Sequence, residues 1–335
     1  MQVVVCQQPG SIALAERDAP PSPQDGWVAI DIANVGICGT DYHIFEGKHP
    51  YLDYPRVMGH ELSGRVAEDA GDWHRGDLVI INPYLACGTC HACKRGKPNC
   101  CYNISVLGVH RDGGLCERLN VPATNLISAG ALNAEQAATV EFLAIGAHAV
   151  RRSDATAQDR VLVVGAGPIG IGTALSARSR GADVHLLDAS GPRLAMVAER
   201  FGFEHTYTLA DGKDALMAAT NGDGFDIVLD ATGSLRAIES GFQYVAHGGT
   251  FVLVSVVKGD ISFSDAEFHK REMRLIGSRN ATTEDFAAVI ADLTSGAIDY
   301  TKLITHRTTL AGLPDNLAGW ALNRDQVIKA MVAVR

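Results

Sequence analysis

Three glycines, Gly165, Gly167 and Gly170, follow the apolar run Val161–Val164 and open an alanine-rich stretch. The pattern is G-x-G-x-x-G, and on its own such a triplet arises by chance. Between a strand and a helix it constrains the fold. The chain must turn tightly at the strand end and direct free backbone N–H groups and the positive end of a helix at one point. That point suits a pyrophosphate, with Pro168 and Ile169 inside the turn. Asp188 ends the next apolar run, at the offset of about 20 residues where a carboxylate accepts both hydroxyls of an adenosine ribose. A 2'-phosphate is repelled there, and Ala189 and Ser190 bring no arginine, so NAD is expected over NADP. Arg193 is placed to pack over adenine or meet a phosphate, and Thr232, after a later strand, completes the candidate cofactor contacts.

From Asp159 onward the pattern alternates. RVLVVGAGPIGIGTALSARSRGA, DVHLLDAS, RLAMVAERFG, FDIVLDATGS and GTFVLVSVV read as strands, turns and helices in succession. This predicts an α/β domain with a doubly wound parallel sheet of the Rossmann kind. Residues 1 to about 150 are instead rich in Gly, Pro and short β-branched runs such as WVAIDIANV and DLVIINP, and read as mainly β. Beyond residue 277 the spacing predicts helices near Thr283–Thr294 and Leu313–Asn323, in a tail that rejoins the first domain. The expected division is 1–150 with 278–335 as one domain and 151–277 as the other. A chain of 335 residues suits two cores better than one.

With 47% hydrophobic and 20% charged residues the chain is expected to fold as a globule, and a net charge of -9 argues against nucleic acid as a partner. The most apolar stretch, Val161–Ala177, is interrupted by glycines and falls short of a membrane span. The start MQVVVCQQPG lacks the basic and apolar regions of a signal peptide, so a reducing cytoplasm is expected.

Under those conditions Cys87, Cys90, Cys93 and Cys101, spaced C-x2-C-x2-C-x7-C, read as four thiolate ligands of one structural zinc rather than two disulfides. The remaining thiols Cys6, Cys100 and Cys116 are expected to be buried structural residues.

Cys38-Gly39-Thr40-Asp41, Gly59-His60-Glu61, the four-cysteine lobe, Asp112-Gly113-Gly114 and GAGPIG, in that order, resemble the zinc-containing medium-chain dehydrogenases over nearly the whole chain. Glu141, seven residues before His148, is similar to the E-P-x5-H block of the sorbitol and threonine dehydrogenase branch, with Phe142 where proline is usual. KPNCC, SVLGVHRDGG and LITH also resemble the RspB-type, L-galactonate dehydrogenase-like proteins. The resemblance implies a GroES-like catalytic domain beside the Rossmann domain, two zinc ions per chain, NAD, and a homo-oligomer, dimer or tetramer.

A catalytic zinc keeps one position open and takes about three protein ligands. Cys38 and His60 are the unambiguous pair, and Glu61 and Glu141 compete for the third place. In this branch the resemblance implies that Glu61 approaches the metal, while Glu141 ligates directly or through water. It also implies that Thr40 and His43 relay the proton released when zinc acidifies a substrate hydroxyl. Carboxylate beside the metal offers acceptors to neighbouring hydroxyls, which points to a polyhydroxylated small molecule. A sugar acid needs a cation for its carboxylate. Arg279 with Asn280, and His110 with Arg111, are the candidates, Arg279 being equally suited to a cofactor phosphate.

Overall fold

The strand Trp27–Ile37 is long enough to hold two different neighbours along one edge. Its first half pairs antiparallel with Arg118–Pro122 and its second half with Lys329–Ala333, while Glu61–Val66 runs along the other side. Val28, Ile30 and Ile32 alternate inward, as a pleated strand with one buried face requires. The complete sheet has seven strands, extended by Leu78–Ile81 and Leu126–Ser128 at one edge and by Ile304–Thr309 at the other. Met58, Leu62, Ile81 and Val121 pack into the same apolar core.

The computed structural model describes residues 1–49 and 52–334. It divides into two compact units, Met1–Glu141 with Leu293–Arg335, and Phe142–Asp292. The boundaries differ from the expected residues 150 and 278. The helices Val140–Arg152 and Thr283–Ser295 both go largely with the second unit, because their side chains bond to each other. Asp285 receives hydrogen bonds from His148 Nδ1 at 2.8 Å and Arg151 Nε at 2.7 Å. Burial works against the Asp285 carboxylate, but His148, Arg151 and Thr282 hold it well below the usual range. The strands Ile304–Thr309 and Lys329–Ala333 lie in the sheet of the first unit.

The second unit is a six-stranded parallel sheet in the order His205–Thr208, Asp183–Asp188, Arg160–Val164, Phe225–Asp230, Val245–Leu253, Arg274–Gly277. Numbered by sequence this is 3-2-1-4-5-6, the doubly wound dinucleotide-binding order. Val161, Leu162 and Val163 are fully buried, which is why the central strands read as unbroken apolar runs. The edge strands HTYT and RLIG escaped the sequence reading: each has four residues, and three of the four in HTYT are polar. The helices Thr283–Ser295 and Leu313–Leu322 lie where the spacing predicts them. Among the described residues no helix is long and apolar enough to cross a membrane.

Candidate active site

Cys38 leaves the Trp27–Ile37 strand and caps the helix Gly39–Phe45. Its backbone N–H donates to Asp41 Oδ2 at 2.8 Å, and Asp41 Oδ1 accepts the Gly59 N–H at 3.3 Å. One buried carboxylate thereby ties the Cys-Gly-Thr-Asp turn to the Gly-His-Glu turn. Burial pushes the Asp41 carboxyl up, against the pull of His60 and the two N–H donors. Glu61 begins the strand next in line, opposite Gly36. A Cβ at Gly36 would overlap the Glu61 carboxylate, so only glycine leaves room for it.

The outcome is that ligand atoms of Cys38, His60 and Glu61 lie within 4.8 Å of one another. His60 is buried, and its Nδ1 has no hydrogen-bond partner among the described residues, standing 3.8 Å from Asp41 Oδ1. A thiol, an imidazole and a carboxylate gathered around one point, with an unsatisfied ring nitrogen among them, fit a zinc ion in chemistry and in spacing.

Glu141 is not part of this trio. It is buried, and its Oε1 accepts from the Tyr84 hydroxyl. Burial, with help from Glu61 and against the pull of His60, pushes the Glu141 carboxyl up to about 7. The sequence reading missed Tyr84, and it missed the strongest partner of the site. Lys329 Nζ donates to both oxygens of Glu61, at 2.6 and 2.7 Å, and to the Ile37 carbonyl at 3.2 Å, with the side chain almost wholly buried. Burial opposes the ammonium charge, but Glu61, Cys38 and Glu141 together raise Lys329 above the ordinary lysine value.

Thr40 Oγ1 lies 4.0 Å from Cys38 Sγ, and His43 is exposed three residues further along the same helix. His43 is held below the ordinary histidine value by partial burial and by Arg324, which is itself bonded to Glu46. His49 was also missed. Burial lowers it, with smaller contributions from His110, His43 and His60.

The lobe is closed by a two-stranded ladder, Tyr84–Leu85 with Ser105–Val106. Sulfur–sulfur distances of 3.5 Å from Cys90 to Cys93 and 3.9 Å from Cys90 to Cys101 are far longer than a disulfide. They match the edge of about 3.8 Å that a tetrahedral zinc with 2.3 Å bonds requires. Hydrogen bonds from Thr89 and Cys90 hold the Cys87 thiol down to about 5, ready as a thiolate. Of the other thiols, Cys6 and Cys116 are buried, and burial pushes them up to about 11 and 12. Cys100 is exposed, contrary to expectation, because the short helical turn Pro98–Cys100 directs Asn99 inward instead.

In the second unit Gly165 takes φ +100° and donates to Leu187 O at 2.7 Å, so the turn after the first strand folds onto the second. A Cβ at Gly165 would press on Thr232 and Ala231, while Gly167, which caps the helix Pro168–Ser179, faces open space. Asp188 accepts the Ala166 N–H at 2.6 Å and the Ser190 N–H at 2.7 Å, placing its carboxylate against the glycine turn. Arg193 is buried in the first turn of the helix Gly191–Phe201. His110 and Arg111 are exposed in the first unit, where His110 Nδ1 accepts the Val106 N–H at 3.1 Å and Arg111 donates to Ser105 Oγ at 3.0 Å. Arg279 is exposed and Asn280 takes φ +54° in the second.

Residues 24–131 match the alcohol dehydrogenase GroES-like domain family and residues 168–295 the zinc-binding dehydrogenase family. The chain is 42% identical over 99% of its length to the L-galactonate-5-dehydrogenase of Escherichia coli (strain K12), 98% of which is covered. The crystal structure of the RspB alcohol dehydrogenase of Escherichia coli CFT073, complexed with NADH, superposes with a TM-score of 0.92 at 28% identity, covering 100% of this chain and 99% of that one. A zinc-binding dehydrogenase of Sinorhizobium meliloti 1021 bound to NADP gives 0.90 at 27% identity, with 99% of both chains covered. From its sequence and its fold alike, this chain is a dehydrogenase belonging to the zinc-containing, medium-chain alcohol dehydrogenase family.

Proposed function

We propose that the enzyme oxidises a secondary hydroxyl of an open-chain sugar acid or polyol to a ketone, with NAD as acceptor. The buried trio of Cys38, His60 and Glu61 supports the chemistry. The 42% identity to an L-galactonate-5-dehydrogenase supports the substrate class. When bound, zinc lowers the pKa of a substrate hydroxyl and NAD accepts the hydride. Cys38, His60 and Glu61 hold the metal, with Glu141 and Tyr84 beside them and Cys87, Cys90, Cys93 and Cys101 holding a second ion. Thr40 accepts the released proton at Oγ1 as it gives up its own hydroxyl proton, which would pass by way of the cofactor ribose to the His43 ring and from there to solvent. The family resemblance further supports a cytoplasmic homo-oligomer.

A panel of sugar acids, polyols, threonine and simple alcohols tests the substrate class. Turnover confined to threonine or primary alcohols would overturn it, and no turnover with a zinc-replete protein that binds NAD would favour a non-catalytic sensor. Arg279→Ala should weaken binding of an acid by about 1.5 to 3 kcal/mol, the worth of a charge-assisted hydrogen bond, and of the matched polyol by much less. Equal losses on both remove Arg279 from the role of carboxylate clamp.

Asp188 is the residue we assign to the ribose hydroxyls. Asp188→Ala is expected to weaken NAD and narrow its advantage over NADP, measured as the ratio of kcat/KM values. Comparable efficiency of the unmodified enzyme with NADP would contradict the assignment. His43 acts in its neutral form as proton acceptor, and that form persists below the usual histidine midpoint of about 6.5 because the ring is held low. The oxidation rate is therefore expected to fall only as pH drops through a value under 6.5. His43→Ala should remove that limb and be partly rescued by imidazole; an unchanged pH profile places the relay elsewhere.

A further inference from the structure

At the amino-terminal edge of the parallel sheet in the second unit, Asp183, His185 and His205 bring one ligand atom each to within 4.8 Å of one another. We propose that these three side chains form a further binding site for a divalent first-row transition ion, zinc or nickel in class. The parallel register sets His185 directly opposite His205 on adjacent strands, and Asp183 lies two residues before His185 on the same strand face. His185 Nε2 is 3.3 Å from Asp183 Oδ2, and His205 Nε2 is 3.8 Å from Asp183 Oδ1. A tetrahedral ion with bonds of 2.0 to 2.2 Å to nitrogen and oxygen separates neighbouring ligand atoms by about 3.4 Å, so both distances already lie close to what coordination needs.

The partner of the other ring nitrogen points the same way. Tyr207 Oη lies 3.2 Å from His185 Nδ1, the outer hydrogen bond that fixes a ligating imidazole and leaves Nε2 free to donate its lone pair. His185 is buried and held against Phe225 edge-on, while Asp183 and His205 are exposed, so one ligand is anchored and two can adjust. The rings of His185 and His205 are stacked with centroids 4.5 Å apart, and closing on a shared ion takes a rotation of the exposed His205 ring. Arg160, on the neighbouring strand, is engaged by Asp226 at 3.4 Å and Asp223 at 3.8 Å. Three protein ligands leave the fourth position to water.

The site stands apart from the dinucleotide turn. Asp183 opens the strand that Asp188 ends, a separation of about 16 Å along the chain axis, and the glycine turn lies at the Asp188 end. An ion here joins the edge strand His205–Thr208 to its neighbour without touching the reaction.

The test compares the zinc-replete holoenzyme with its His205→Gln and Asp183→Asn variants by equilibrium dialysis against zinc and, separately, nickel, with metal counted by mass spectrometry and melting followed at each concentration. The expected result is one equivalent more metal on the unmodified protein than on either variant. A metal-dependent rise in Tm should be lost in both, with turnover unchanged. Tyr207→Phe should weaken that equivalent by about tenfold or more while retaining the stoichiometry. Equal metal uptake by the unmodified protein and both variants, or Tm shifts of the same size, overturns the proposal and identifies the uptake as adventitious. The comparison is between variants, so it stands whether or not the catalytic reading holds.

Discussion

Lys329→Met is expected to destabilise the zinc-free protein by about 3 to 5 kcal/mol, since it leaves the Glu61 carboxylate charged, buried and unpaired. Glu61 is fully buried, and its carboxylate lies in the space that Gly36 leaves open. The double variant Lys329→Met, Glu61→Gln removes both charges and should recover most of the loss, as replacement of a whole buried pair usually does. The loss should also shrink in zinc-loaded protein, where the metal supplies the positive charge. Denaturant unfolding of the parent and the two variants, with and without metal, measures all three effects. If the single variant is within about 1 kcal/mol of the parent without zinc, the ion pair does not hold the site together.

Cys93→Ser is expected to release one zinc equivalent and melt the lobe between Cys87 and Cys101. The helical turn His91–Lys94 buries none of its side chains, and Asn99 and Cys101 are the buried residues of the segment. With no apolar core, the segment is expected to depend on a bound metal for its order, since binding free energy at such a site is folding free energy. Metal counting and hydrogen exchange across residues 87–101 read the result. Full protection of the lobe with a zinc lost would sink the assignment. Cys38→Ser should instead stop turnover and leave the lobe protected.

What these two experiments probe was unequally legible in the sequence. The four lobe cysteines lie within fifteen residues, so short-range chain geometry is enough to bring their sulfurs together. The glycine turn and Asp188 belong to one strand–turn–helix–strand unit, and the helix Thr283–Ser295 carries its own periodicity. In each case local geometry determines the contact, and residue type at fixed spacing suffices. Cys38, His60 and Glu61 were legible as types, and the tertiary fold alone assembles them at one point.

The charges around that point came from the tertiary structure. Lys329 is 268 residues from Glu61, and they meet because Trp27–Ile37 pairs with the strand of each: Gly36 with Glu61 and Ile37 with Ala330. Tyr84 reaches Glu141 across 57 residues, and Asp285 reaches His148 across 137. Asp183, His185 and His205 meet through the register of two parallel strands. No local spacing encodes such meetings, because strand order and register follow from burying whole sheet faces. Residue type at fixed spacing was enough for the four-cysteine lobe, the glycine turn and the family. Only the packing of distant strands decided which buried charge neutralises which.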